Sequence, residues 1–218
     1  DNADAHEDTS VQRVLDYGCG QGKLAEHVFG FHAMNNRDCN IHWHGVDQSP
    51  EMITKFQQRL ERFHTRSKSP SNTVPANAHS SSSQLMQNTG DPLQLIQSTP
   101  AKYYHRFIST YCLDLMSEQD IYAVLSLAEH CLNPVDGKLL LAGITYGYRD
   151  SFRTFWMTLA WEIMYRIRPR VVGGCRPQCL SQYLKERGWM IEKEERTMPV
   201  GFPWMVSEVI CARPPLVS

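Results

Sequence analysis

The chain has 218 residues, 42% of them hydrophobic, and its 22 basic residues against 23 acidic ones give a formal net charge of −1. That length and apolar content suit one α/β domain with a substantial core, and the near-neutral balance excludes the strong positive field that draws proteins to nucleic acid or acidic membranes. No run approaches eighteen apolar residues, and the N-terminus lacks the basic and apolar regions of a signal peptide, so neither a membrane-spanning helix nor secretion is expected. Seven cysteines, an odd number without a Cys-x-x-Cys pair, point to reduced thiols in an intracellular protein.

After a polar tail over residues 1–12, Val14-Leu15-Asp16-Tyr17 reads as a buried strand running into Gly18-Cys19-Gly20-Gln21-Gly22 and then a helix. Glycine at every second position leaves the backbone bare and free to take positive φ, so a ligand can lie directly against main-chain groups at a helix N-terminus. The spacing narrows the ligand. A dinucleotide fingerprint needs glycine where Lys23 stands, and a P-loop needs Ser or Thr at Leu24 and glycine at Tyr17. Ile41 to Val46 reads as a second strand ending in Asp47, whose carboxylate can accept from both hydroxyls of a ribose. Ser49 caps the next helix and Pro50 opens it; Met52, Ile53, Phe56, Leu60 and Phe63 follow at helical spacing.

Asp-x-Gly-x-Gly-x-Gly after an apolar strand, followed about thirty residues on by an acid and a capped helix, closely resembles the class I S-adenosylmethionine-dependent methyltransferases. The resemblance runs from about Val11 to the end. It implies a single methyltransferase domain over residues 1–218 with a Rossmann-like α/β fold. Its sheet would be doubly wound and seven-stranded, mostly parallel with an antiparallel last strand. It implies S-adenosyl-L-methionine as cofactor and S-adenosyl-L-homocysteine as product. In that family the glycine turn holds the amino-acid end of the cofactor and the acid at Asp47 holds the ribose. The cofactor contacts implied are Asp16, Gly18, Cys19, Gly20, Gly22, Asp47, Gln48, Met52, Asp91, Pro92, Thr110 and Tyr111.

Residues 65–90 are dominated by Ser, Asn, Thr, Pro and Gln, including the run Ser80 to Ser83, and cannot bury enough apolar surface to offset their ordering entropy. A low-complexity insertion is expected there, with Ser83 to Met86 the candidate third strand. Gly90-Asp91-Pro92-Leu93 is either a plain turn or, by the resemblance, the place of an acid that accepts from the adenine amino group. Tyr104 to Thr110 reads as a strand, and Ser117 with Asp120 as a capping box for a helix through Ile121, Val124, Leu125 and Ala128. Leu139 to Ala142 is the next strand. The intervening Tyr111-Cys112-Leu113-Asp114-Leu115-Met116 lacks the Asn/Asp-Pro-Pro-aromatic signature of relatives that methylate exocyclic or amide nitrogens, and no cysteine follows a proline, as cytosine C5 enzymes require.

Residues 148–176 read as a helical, lid-like insertion. Ser151 can cap a helix bearing Phe152, Phe155, Trp156, Leu159, Ile163, Met164 and Ile167, ended by Arg168-Pro169. It is either a lid over the substrate or a helix packed on the sheet edge. Arg166, Arg168, Arg170 and Arg176 surround Gly173-Gly174 and either clamp a carboxylate or phosphate or form a solvated face. The clamp would make Trp156, Arg168 and Arg176 substrate contacts and the substrate acidic. Leu180, Tyr183 and Leu184 mark a last helix stopped by Gly188; Trp189 to Glu192 and Val206 to Ala212 read as the closing strands.

A sulfonium carries its own leaving group, so few catalytic residues are required; a base, if one is used, is expected among Tyr111, Asp114, Tyr146 and Tyr148. His42 and His44 share a strand face without a third ligand, and no metal is expected. The expected function is methyl transfer to a small-molecule acceptor. The alternatives are a protein or RNA methyltransferase, and an inactive cofactor-binding partner or scaffold. Neither a membrane nor a nucleic acid is expected as partner, and the oligomeric state stays open. The cytoplasm is the expected compartment, with organellar import left open because the N-terminus is short.

Overall fold

The computed structural model describes residues 11–34, 40–67, 82–87, 91–146, 152–198 and 205–215. The chain divides into two compact units, Asp1–Thr89 and Gly90–Ser218.

The first unit alternates β1 (Val11–Tyr17), α1 (Lys23–Met34), β2 (Asn40–Asp47), α2 (Pro50–Ser67) and β3 (Ser82–Gln87). Helical crossovers allow the strands to pair in parallel, and β2 pairs with both others: Val11 lies opposite Asn40, and His42 opposite Ser82. Val14 to Tyr17 is buried residue after residue, the pattern of a strand covered on both faces. β2 alternates instead, with Ile41 and Trp43 buried and His42 and His44 half-buried. Pro50 opens α2 as expected, the Ser49 hydroxyl accepts the Met52 N–H at 3.4 Å, and Ile53, Phe56 and Leu60 form the buried stripe. Phe29 of α1 meets Trp43 edge-on at 5.9 Å. The candidate third strand is realised over Ser82–Gln87; its sequence is polar, and the ladder to β2 carries it. The rest of the low-complexity stretch, 68–81 and 88–90, lies outside the described residues.

The second unit holds α3 (Pro92–Ser98), β4 (Arg106–Thr110), α4 (Glu118–Cys131), β5 (Lys138–Thr145), α5 (Phe152–Ile167), α6 (Leu180–Glu186), β6 (Met190–Thr197) and β7 (Val206–Arg213). β4 and β5 are parallel, β7 runs antiparallel to β5, and β6 antiparallel to β7. The capping box forms: the Ser117 hydroxyl accepts the Asp120 N–H at 3.2 Å, and the Asp120 carboxylate accepts the Ser117 N–H at 3.3 Å. α4 then buries Ile121, Val124, Leu125 and Ala128. β4 begins at Arg106, two residues later than expected, because Tyr104 makes only a single bridge to Leu132. Gly188 stops α6 with φ of +75°.

α5 forms over Phe152–Ile167, where the sequence places it. Its predicted apolar stripe is 37–77% exposed, from Met164 to Phe152. Its inward anchor is Trp161, whose indole donates to the Cys175 carbonyl at 3.0 Å, with Thr158 and Glu162 half-buried beside it. Ser151, the expected cap, lies outside the described residues.

Candidate functional site

The first unit builds its site where β1 gives way to α1. Gly18, Gly20 and Gly22 all take positive φ, +74°, +53° and +73°. The Gly18 and Cys19 N–H groups donate to the Val46 carbonyl at 2.8 and 3.0 Å, which folds the turn onto the end of β2. Asp47 then locks it: Oδ2 accepts the Gly20 N–H at 2.9 Å and Oδ1 accepts the Ser49 N–H at 2.8 Å. Each oxygen keeps a further lone pair for a ligand hydroxyl. The glycines differ in what a side chain would meet. A Cβ on Gly20 finds nothing within 4 Å, whereas one on Gly22 would lie 1.9 Å from the Phe56 ring. Gly22 is therefore bare for packing and Gly20 for open approach.

Asp16, the last acid of β1, is 1% exposed. Its Oδ2 accepts from the Trp43 indole at 3.3 Å, while Oδ1 is sealed from solvent with no hydrogen-bond partner. Burial pushes the carboxyl up to about 7, against the pull of the Trp43 bond, and nearby Asp47 adds to the rise. Cys19 is buried, Met52 half-buried and Gln48 exposed. Trp43 and Arg59 are the residues that sequence reasoning missed here. Arg59 donates to the Gln21 carbonyl at 2.9 Å and pairs with Glu26 at 2.6 Å, bracing the turn from α2. Burial and neighbouring His42 hold His44 below the usual histidine range. Among the described residues no group of three His, Cys, Asp or Glu side chains stands close enough to hold a metal.

In the second unit Asp91 is the N-cap of α3, accepting the Leu93 N–H at 3.0 Å, with buried Pro92 following. Thr110 ends β4. Tyr111 sits at φ of +53°, fixed by its N–H to the Ala142 carbonyl at 2.7 Å and its hydroxyl to Ser207 Oγ at 3.0 Å. Asp114, in a 3-10 turn over Leu113–Leu115, is 1% exposed. Its Oδ2 accepts the Ile144 N–H at 2.9 Å, and Oδ1 has no partner. Main-chain pairing of β4 with β5 reaches only Thr110 and Ala142, so this carboxylate takes over the donor beyond it.

Burial pushes the Asp114 carboxyl from an ordinary 3.8 up to about 7. A carboxyl more easily protonated folded than unfolded adds stability that is fully present below about pH 4 and lost as pH rises through about 7. Asp114→Asn is therefore expected to flatten the fall in unfolding free energy over that window in urea titrations; a slope identical to wild type would contradict the burial account.

A cavity of about 540 Å³ opens in the same unit, lined by Thr145 and Tyr146 from the end of β5, Phe155, Leu159 and Glu162 from α5, and Arg196 from β6. Its volume suits a small molecule. Burial above all, with Glu162 near it, raises the Tyr146 hydroxyl, although Arg176 and Arg166 pull the other way; at neutral pH it is a hydrogen-bond donor. The four predicted arginines have separate surroundings. Arg166 pairs with Glu162 one turn back at 3.2 Å, Arg176 donates to the Met116 carbonyl at 3.4 Å, and Arg168 and Arg170 are exposed. Trp156 is half-exposed against Phe152 and Phe155. Tyr148 lies outside the described residues. Arg196, which no local pattern singled out, is the arginine on the cavity wall.

No protein-family model matches the sequence, and no curated protein matches it at a significant level. Among solved structures the chain is similar to a SAM-dependent methyltransferase from Methanosarcina mazei, with a TM-score of 0.63 at 13% identity over 95% of this chain and 94% of that one. It is also similar to the N-methyltransferase NodS from Bradyrhizobium japonicum WM9 in complex with S-adenosyl-L-homocysteine, with a TM-score of 0.58 at 12% identity over 94% of this chain and 78% of that one. A third similar structure concerns conversion of a disulfide bond into a thioacetal group during echinomycin biosynthesis, with a TM-score of 0.58 at 15% identity over 95% of this chain and 77% of that one. The chain has the Rossmann-like α/β fold, with a mixed sheet, of the class I S-adenosylmethionine-dependent methyltransferases. No helix among the described residues is long and apolar enough to cross a membrane.

Proposed function

We propose that the chain is an S-adenosylmethionine-dependent methyltransferase acting on a small-molecule acceptor, with residues 1–218 working as one methyltransferase domain. The observation that carries the reading is the buried, half-paired carboxylate of Asp16 beside a turn of three positive-φ glycines. An acid left with a sealed, partnerless oxygen is costly; the ammonium of an amino-acid-like ligand supplies both the missing donor and the missing charge. Open space at Gly20 suits close approach of that ligand, and the spare lone pairs of Asp47 suit ribose hydroxyls. These residues fit S-adenosylmethionine, and the bound cofactor would supply an activated methyl group that carries its own leaving group.

What remains for the protein is alignment and exclusion of water, and such alignment lowers barriers by about 7 to 11 kcal/mol. Tyr111 is committed to Ser207 and Tyr146 stays protonated, so on this reading both position the acceptor and neither is its base. Isothermal titration with S-adenosylmethionine and S-adenosylhomocysteine, with NAD as control, tests the proposal. Micromolar binding of the sulfur ligands without NAD is expected, and no binding of either would overturn it. Asp47→Ala should weaken cofactor binding by about 1.5–3 kcal/mol for each ribose hydrogen bond lost. It also strips the Gly20 and Ser49 N–H groups of their acceptor, so a lower Tm should accompany the weaker binding.

A further inference from the structure

We infer that the cavity beneath α5 takes an acceptor with an apolar body and an amino group, the ammonium resting on Glu162. This deepens the methyltransferase reading and rests on it. The inference begins from which charged groups on the wall are already committed. Arg196 is the cation there, and its Nη2 faces Glu208 Oε1 at 3.3 Å and Glu194 Oε1 at 3.8 Å. Glu208 is fully buried and accepts the Ser181 N–H at 3.3 Å, and Arg196 is the cation paired with it, so drawing Arg196 away would leave that buried acid without its counter-charge. An acidic ligand brought to Arg196 would meet two carboxylates that have already claimed it. Arg176 gives no alternative handle, since its guanidinium is turned to the Met116 carbonyl.

The acceptor side of the cavity is the reverse. Glu162 gives one oxygen, Oε1, to Arg166, while Oε2 is sealed from solvent without a partner. Thr145, from the end of β5, is 1% exposed and its hydroxyl is likewise partnerless. Both residues line the cavity; the unpartnered carboxylate oxygen calls for a positively charged donor, and the Thr145 hydroxyl can accept a further N–H of the same head group. An ammonium offers three N–H groups, a hydroxyl one and a carboxylate none. Phe155 and Leu159 supply the apolar surface for the rest of the molecule, and the Tyr146 hydroxyl is a donor for a lone pair on it.

The test uses three probes of one shape, 2-phenylethylamine, 2-phenylethanol and 3-phenylpropanoate, titrated into the intact chain without cofactor and followed by calorimetry. The amine is expected to bind roughly ten- to a hundredfold more tightly than the alcohol, the range of one charge-assisted hydrogen bond, with the acid weakest. Glu162→Gln should remove the advantage of the amine and leave the alcohol unchanged. Leu159→Trp, which puts a larger ring in the lining and leaves Glu162 in place, should weaken binding of all three probes alike. Equal or tighter binding of the acid, no binding of any probe, or an amine preference that survives in Glu162→Gln would each overturn the inference. Cofactor titration of the same samples separates the two readings: amine binding without S-adenosylmethionine binding removes the methyltransferase, and the converse removes the amine.

Discussion

Asp16→Asn is expected to make the unliganded chain more stable and its cofactor binding weaker, two changes of opposite sign from one atom. Burial holds the Asp16 carboxyl at about 7, so at pH 8 the wild-type fold carries a charge it disfavours. Each pKa unit corresponds to about 1.4 kcal/mol, and the amide removes that cost while its oxygen still accepts from the Trp43 indole. Part of the gain is offset because the amide nitrogen replaces the oxygen that lacks a partner. A net gain of about 1–3 kcal/mol at pH 8 follows, shrinking toward pH 5, where wild-type Asp16 is already protonated in the folded chain. Urea denaturation at the two pH values measures it.

Binding moves the other way. An ammonium paired with the ionised carboxyl loses its partner as pH falls through about 7, so wild-type affinity for S-adenosylmethionine should drop by up to tenfold per pH unit below that point. The Asn variant should bind roughly ten- to a hundredfold more weakly at pH 8 and show no such pH dependence. Equal affinity in both proteins across the range would detach Asp16 from the cofactor.

The second large effect separates two glycines of one motif. Gly22→Ala puts a methyl 1.9 Å from the ring of Phe56, a residue with no exposed surface, at φ of +73°. The ring has nowhere to go without moving α2, and overpacking of this kind costs about 1–3 kcal/mol, to which the left-handed backbone adds about 1–2 kcal/mol. A fall in Tm of many degrees is expected, or failure to fold. Gly20→Ala meets nothing and carries only the backbone strain of φ +53°, about 1–2 kcal/mol. Its Tm should fall little while cofactor affinity falls steeply, because the added methyl occupies space left for the ligand. Unchanged cofactor affinity in Gly20→Ala would mean that the open space at Gly20 has no ligand role, and a Gly20→Ala fold less stable than Gly22→Ala would contradict the packing account of Gly22.

Much of this was legible in the chain because the informative signals are local. The glycine turn, the Pro50 helix start, the Ser117–Asp120 capping box and the Gly188 stop each depend on neighbours within a few residues, where backbone chemistry leaves few alternatives. Asp91 shows the limit of that logic. The Gly-Asp-Pro segment reads either as a turn or as the place of an adenine-binding acid, and a local pattern cannot choose between them; the Asp91 side chain caps α3. Trp43 could not be paired with Asp16 from sequence, since the bond depends on the register of two strands 27 positions apart. Arg196 reaches the cavity from β6 by tertiary packing. The arginines at 166–176 looked like a cluster because they are close in sequence, but helix geometry hands Arg166 to Glu162. On α5, a three- and four-residue step identifies side chains that share a face and carries no information about whether anything lies against it.

That uncovered face governs how the isolated protein behaves as a colloid. Phe152, Trp156, Ile163 and Ile167 present apolar surface to water along one side of a helix, while a net charge of −1 leaves little long-range repulsion between molecules near neutral pH. Attraction between such faces is short-ranged and strengthens with temperature, so concentration and warmth are expected to limit how much of this chain stays dispersed.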